Sequence, residues 1–170
     1  EHMEEKNGTP LLPAAAQAKN FLGLEEEYSS LKKSKAVILQ APYDKTTTYI
    51  HGAVNGPAAI IDASRYMERY DDELNQETFK IGIHTMEPLA IEGLSPEEMV
   101  ERIYAHTLEL LKSNKFTVML GGEHTVSVGA VKAFKELYPN LSVLHLDAHY
   151  DMRDEYFGSR LNHGCVARRI

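Results

Sequence analysis

The sequence contains one cysteine, Cys165. No disulfide can form within such a chain, and a reducing compartment, the cytoplasm, is the expected location. No run approaches the ~18 apolar residues that a membrane helix requires, so no membrane association is expected. No basic start followed by an apolar stretch announces a signal peptide. Positive charge is scarce: 18 Lys and Arg stand against 25 Asp and Glu, a net charge of -7. Polyanions are held chiefly by cationic side chains on phosphates, so nucleic acid is not an expected partner. A field of this sign suits a cationic substrate or a metal ion. Internal repeats and linker-like stretches are lacking as well.

What remains is a single domain over residues 1–170, with 43% hydrophobic and 25% charged residues, enough for a true core. Glu1, His2 and Met3 read as a remnant ahead of a native start. Residues 1–20, with Gly8, Pro10 and Pro13, read as an irregular lead-in with a short helix at 14–19. A loop and a short helix are expected over 21–33. Ala36–Ala41 is an apolar run stopped by Pro42, the pattern of an interior strand in a parallel sheet. Gly56-Pro57 opens a helix to about Arg69, since proline fits the first turn. Residues 78–83 are expected to form a strand.

Ser95-Pro96-Glu97-Glu98 carries a capping-box signature, followed by a helix with Met99, Ile103, Leu110 and Leu111 on its apolar face. Phe116–Leu120 reads as a strand, and residues 125–137 as a helix packing through Val128, Val131, Ala133, Phe134 and Leu137. Leu141–Leu146 reads as the next strand, parallel to the previous one after a short crossover. This alternation predicts an α/β fold of three layers, α/β/α, on a mainly parallel sheet.

Asp147-Ala148-His149-Tyr150-Asp151 follows the last of these strands. In extended backbone a period of two puts Asp147, His149 and Asp151 on one side. His124 follows Gly121-Gly122-Glu123 at the end of the neighbouring strand. Sites in open parallel sheets form beyond the carboxyl ends of strands, so the two segments can share one centre. Two carboxylates and two imidazoles without a thiolate suit Mn²⁺, and also Zn²⁺, Fe²⁺ or Co²⁺. Carboxylates this close would repel unless a cation joined them. Each residue alone has a plainer role: His124 as a packed or helix-end histidine, Asp147 as a loop cap. His145 shares the nominal face of Asp147 but lies inside the strand, and is read as a packed, hydrogen-bonded histidine.

Gly121-Gly122-Glu123-His124-Thr125-Val126-Ser127 and Leu146-Asp147-Ala148-His149-Tyr150-Asp151 resemble the two early metal motifs of the ureohydrolases, the arginase and agmatinase superfamily. Asn162-His163-Gly164-Cys165-Val166-Ala167-Arg168-Arg169 is similar to the histidine segment of agmatinases, and residues 52–60 match the early Gly-Pro loop. The likeness runs from about residue 20 to residue 170. Glu123 and Thr125 stand where the family often has aspartate and serine, and Ala53 and Asn55 depart from a more basic early loop.

The resemblance implies an arginase-like fold and two Mn²⁺ ions. His124 and Asp151 would bind the first ion, His149 the second, and Asp147 would bridge both. A hydroxide shared by the ions would attack the guanidinium carbon of a small cationic guanidino substrate. Agmatine would give urea and putrescine, a step of polyamine biosynthesis. Arginine, guanidinobutyrate, aminopropylagmatine and formiminoglutamate are neighbouring substrates.

His163 would be the catalytic proton shuttle and touch the substrate. Asp154, Ser159 and Asn162 are candidate substrate contacts, each also readable as ordinary surface. Cys165 is read as a buried small residue, and Lys45 with threonines 46–48 as a surface loop. Arg168 and Arg169 have no partner evident in the sequence. The family commonly forms trimers or hexamers, so a homo-oligomer is implied.

Members are much longer than this chain, and their later half supplies further carboxylate ligands. The chain is therefore expected to be the N-terminal portion, with weak metal binding and little activity alone. A non-catalytic fragment that serves as a binding partner is the alternative of another class. A deacetylase-like hydrolase with one catalytic metal is a further one.

Overall fold

The computed structural model describes residues 19–170. The remnant at Glu1, His2 and Met3 and most of the irregular lead-in, including nearly all of the helix expected at 14–19, lie outside the described residues.

The sheet has three parallel strands, β1 (Ala36–Ala41), β2 (Ile83–Thr85) and β3 (Phe116–Gly121), in the order β2-β1-β3. All six residues of β1 are buried. A strand buried on alternate side chains in both directions has both sheet faces covered, which is why its sequence is apolar without alternation. The helices are α1 (Glu26–Ser29), α2 (Gly56–Ser64), α3 (Pro96–Lys112), α4 (Val126–Leu137) and α5 (Val166–Arg169). The parallel α/β architecture is therefore the one the alternation predicts.

Helix α3 starts where its signature places it. Ser95 Oγ accepts the Glu98 N–H at 3.2 Å, and the Glu98 carboxylate accepts the Ser95 N–H at 2.8 Å. These bonds hold the Glu98 carboxyl below the usual carboxylate range, the Ser95 N–H contributing most. The helix stops at Asn114, whose φ of 54° is left-handed. There Asn114 N–H returns to Leu111 O and Lys115 N–H to Leu110 O, satisfying carbonyls the helix would leave bare. Met99, Ile103, Leu110 and Leu111 are all buried. Full burial of one such side chain stabilises by about 1.5–3 kcal/mol. Met99 and Ile103 join a core with Leu39, Tyr43, Ile91, Val126 and Val166, and Leu111 a second cluster with Leu108 and Ala133.

Four expectations need correction. Helix α2 ends at Ser64 rather than near Arg69. Tertiary bonds divert the chain: Ser64 Oγ accepts Leu22 N–H at 2.8 Å, and Arg69 donates to Leu22 O and Gly23 O. Residues Thr78–Ile81 form a 3-10 turn and only Ile83–Thr85 a strand. Buried Phe79 packs edge-on to Tyr28, and Gly82 (φ 81°) lies where a Cβ would be 2.7 Å from Ser34 Cα.

In α4, Val128 and Ala133 are buried, Val131 is half-buried and Leu137 is exposed, and Gly129 faces α3. Leu141–Leu146 is not a strand and does not pair with β3. A strand exists through its ladder, and among the described residues none lies beside this segment. Leu144 and Leu146 are accordingly 84% and 86% exposed.

Gly129 sets how closely α3 and α4 approach: a Cβ there would lie 2.5 Å from Val100 O and 2.9 Å from Ile103 Cβ. Alanine gains about 1 kcal/mol of helix propensity, but overpacking costs about 1–3 kcal/mol, and a backbone carbonyl cannot swing away. Gly129→Ala is therefore expected to destabilise, lowering the melting temperature by roughly 2–8 °C. Equal or higher stability by calorimetry would contradict this packing.

Candidate metal centre

The site begins where β3 ends. Gly122 N–H donates to Ala41 O at 3.1 Å and Glu123 N–H to Tyr43 O at 2.8 Å. A Cβ on Gly122 would sit 2.2 Å from Tyr43 O, so only glycine lets the two backbones run this close. The residues beyond divide between inside and outside. Glu123 is buried, while His124 is half-buried at the surface. Glu123 Oε2 accepts Thr125 N–H at 2.8 Å and Thr125 O–H at 2.6 Å. Burial pushes the Tyr43 hydroxyl up to about 12, with the Glu123 charge adding to it.

His124 meets the segment after residue 146. Its Nδ1 lies 2.7 Å from Asp151 Oδ2 and 3.6 Å from Asp147 Oδ2. His145 Nε2 lies 3.2 Å from the same Asp147 oxygen. One ligand atom from each of His124, His145, Asp147 and Asp151 falls within a 4.8 Å span. Asp151 has φ 47°, a left-handed backbone that aspartate tolerates better than most residues and that favours functional sites. The His149 N–H, joined by the His145 ring and the His124 charge, holds the Asp147 carboxyl below the usual carboxylate range.

His124, Asp147 and Asp151 are thus brought together, and His149 is not. Its side chain is 82% exposed, with Nδ1 3.7 Å from Asp147 Oδ1. His145 takes a place in the cluster that the sequence reading left as packing. The signal was present: it alternates with Asp147, and the missing ladder allows both to turn to one side. Four nitrogen and oxygen donors without a thiolate fit one divalent cation; a second would need His149 and donors from elsewhere.

His163 lines a cavity of about 600 Å³ together with His149, Asp151, Arg153 and Tyr156. Its Nδ1 is 2.7 Å from Thr46 O, and its N–H donates to Thr46 Oγ1 at 2.9 Å. Thr46 is therefore part of a buried contact rather than plain surface. Lys45 reaches away, to Leu94 O at 3.1 Å.

The other expected substrate contacts have structural partners. Asp154 binds Arg160 at 2.9 Å and Arg169 at 2.6 Å, with Arg168 at 4.0 Å, which supplies the partner both arginines lacked. Ser159 Oγ bonds within its own turn, to Leu161. Asn162 is buried, and its Oδ1 accepts Gly164 N–H at 3.2 Å. Cys165 is buried, and desolvation raises its thiol pKa, as suits an inert small core residue.

The sequence pattern of the Arginase family matches residues 34–170. The N(1)-aminopropylagmatine ureohydrolase of Synechocystis sp. is 36% identical over 158 residues, 89% of this chain and 51% of that protein. The agmatinase of Bacillus cereus is 32% identical, over 85% of this chain and 50% of that protein. The solved structure of proclavaminate amidino hydrolase from Streptomyces clavuligerus superposes with a TM-score of 0.79 at 30% identity, covering 92% of this chain and 52% of that one. The chain spans about half the length of the curated relatives it matches.

The Asp154 cluster gives a pH prediction. The hydrogen bond from Arg169, then that from Arg160, holds the Asp154 carboxyl below its ordinary range. A carboxyl whose folded pKa is depressed stabilises fully above its unfolded pKa and loses that contribution as pH falls through the folded value. Asp154→Asn is expected to melt lower than the parent at neutral pH, with the gap closing on acidification. A gap that widens in acid would contradict this assignment.

Proposed function

The chain belongs to the arginase family, and from that premise we propose that it is the N-terminal half of a manganese-dependent ureohydrolase acting on a small guanidino amine. The convergence of His124, Asp147 and Asp151 from two distant segments carries this reading. These three residues would hold the first ion, and Asp147 and His149 would contribute to a second. Divalent cations at such donors supply an activated water and stabilise the charge that develops on its target. His145 Nε2 contacts the Asp147 oxygen that faces His124, at 3.2 Å, and would orient that carboxylate. His163 stands at the cavity wall, where histidine can carry a proton near neutrality. The -7 net charge favours approach of a cationic guanidino group. The products are urea and a primary amine, putrescine when the substrate is agmatine.

Agmatine and N(1)-aminopropylagmatine are the two substrates the relatives' names support. They differ by an aminopropyl extension. The later half of the relatives' length would complete the ligand set on the exposed side of His149.

The test is urea release by the full-length protein, with manganese, from agmatine, N(1)-aminopropylagmatine, arginine and guanidinobutyrate. Turnover is expected with one of the first two and is abolished by chelation. No urea from any of the four would sink the reading and favour a non-catalytic binding role.

His163→Asn is expected to lower kcat by about 10²–10⁴-fold with metal content unchanged. His145→Ala is expected to weaken Mn²⁺ binding by about 10–100-fold, the usual cost of losing a residue that orients a ligand. Calorimetric titration of the 170-residue chain should give weak binding; two tightly held ions per chain would contradict the half-site.

A further inference from the structure

Three side chains from two segments far apart in sequence form one buried line ending at His163. Glu123 and Thr125 follow β3, Thr46 lies in the loop after β1, and all three are buried. Glu123 Oε2 accepts both the main-chain N–H and the hydroxyl of Thr125, and this sets the direction of the hydroxyl pair that follows. Thr125 Oγ1 gives its proton to Glu123 Oε2 at 2.6 Å. Having spent that proton, it accepts from Thr46 Oγ1 at 3.1 Å. Thr46 Oγ1 in turn accepts the His163 main-chain N–H at 2.9 Å. The Thr46 carbonyl, on the same residue, lies 2.7 Å from His163 Nδ1. A carbonyl oxygen has no proton to give, so Nδ1 must donate.

We propose that Glu123, Thr125 and Thr46 are positioning residues that hold His163 as its Nδ1–H tautomer, leaving the Nε2 lone pair for the cavity. Which ring nitrogen carries the proton is set by the bond the other makes, and here the bond is anchored at both ends. The main-chain contact fixes where the ring hangs; the carbonyl contact fixes its tautomer and tilt. Tyr156 packs edge-on to the ring at 5.7 Å and closes its other side. Gly122 belongs to the same device, because its close passage against Tyr43 turns Glu123 inward. Glutamate and threonine at 123 and 125 then have a shared role: the longer acid reaches back to its own chain's threonine, and the threonine spans to Thr46.

The meaning of this tautomer for proton transfer rests on the hydrolase reading above, but its test does not. Long-range proton–nitrogen correlation spectra of the 170-residue protein with isotopically labelled histidine report the tautomer of each ring directly. The His163 signal is identified by its loss in His163→Gln. The expected result is a single Nδ1–H tautomer at His163 in the parent protein. Thr46→Val and Thr125→Val should convert it to an exchanging mixture of both tautomers. Thr46→Ser, which keeps the hydroxyl, should restore the parent spectrum.

An Nε2–H tautomer in the parent would overturn the proposal. So would an unchanged Nδ1–H signal in folded Thr46→Val. Should the valine variants fail to fold, the parent and Thr46→Ser spectra still decide it. The spectra are read without substrate. Absence of urea release therefore counts only against the hydrolase reading, and the wrong tautomer only against this positioning line.

Discussion

At Gly122 the chain leaving β3 passes so close to Tyr43 that no side chain fits between them. Two backbone bonds, to Ala41 O and Tyr43 O, hold that passage. It is stable because β1 is buried on both faces and cannot shift away. Everything that bears on function hangs from it. Glu123 is turned into the protein and His124 out of it by adjacent positions on one short stretch. The inward residue reaches Thr125, Thr46 and His163; the outward one reaches Asp147 and Asp151. A backbone contact without any side chain thus separates a buried polar line from a surface cluster of ligand atoms.

The two networks differ in what stabilises them. The buried line gains from low surrounding polarity, which strengthens the hydrogen bonds it makes and penalises any that are lost. The outer cluster is an arrangement of carboxylates and imidazoles with much solvent access. The His149 N–H and the neighbouring histidines hold the Asp147 carboxyl below the usual carboxylate range. Such a cluster tolerates exchange of a proton for a cation. His149 stays outside it, facing the cavity that His163 lines. The cavity is therefore bordered by both networks, by Asp151 from one and by His163 from the other.

The segment over 153–169 shows how charge can be drawn off from a substrate role. Asp154 is committed to Arg160 and Arg169, and Asn162 to the turn at Gly164. These bonds tie α5 to the loop ahead of it, and Val166 of that helix reaches the main core. Residues that look like readers of a cationic tail thus also bond within the protein.

Local patterns were enough to read the interior strand Ala36–Ala41, the Ser95 capping box and the grouping of His124 with Asp147 and Asp151. The strand and the cap depend on near neighbours in sequence; the grouping followed from the ligand chemistry of two separate motifs, and His149 is not part of it. The Arginase family match over residues 34–170 agrees with what those motifs resemble. The end of α2, the fate of Leu141–Leu146, the inclusion of His145 and the line from Glu123 to His163 were decided only in three dimensions. Each turns on a partner distant in sequence: Leu22 for Ser64, the lack of a ladder neighbour for Leu144, Thr46 for His163. Periodicity says which face a side chain can take, but a hydrogen bond between residues 46 and 163 forms only after the sheet has brought their loops to one edge.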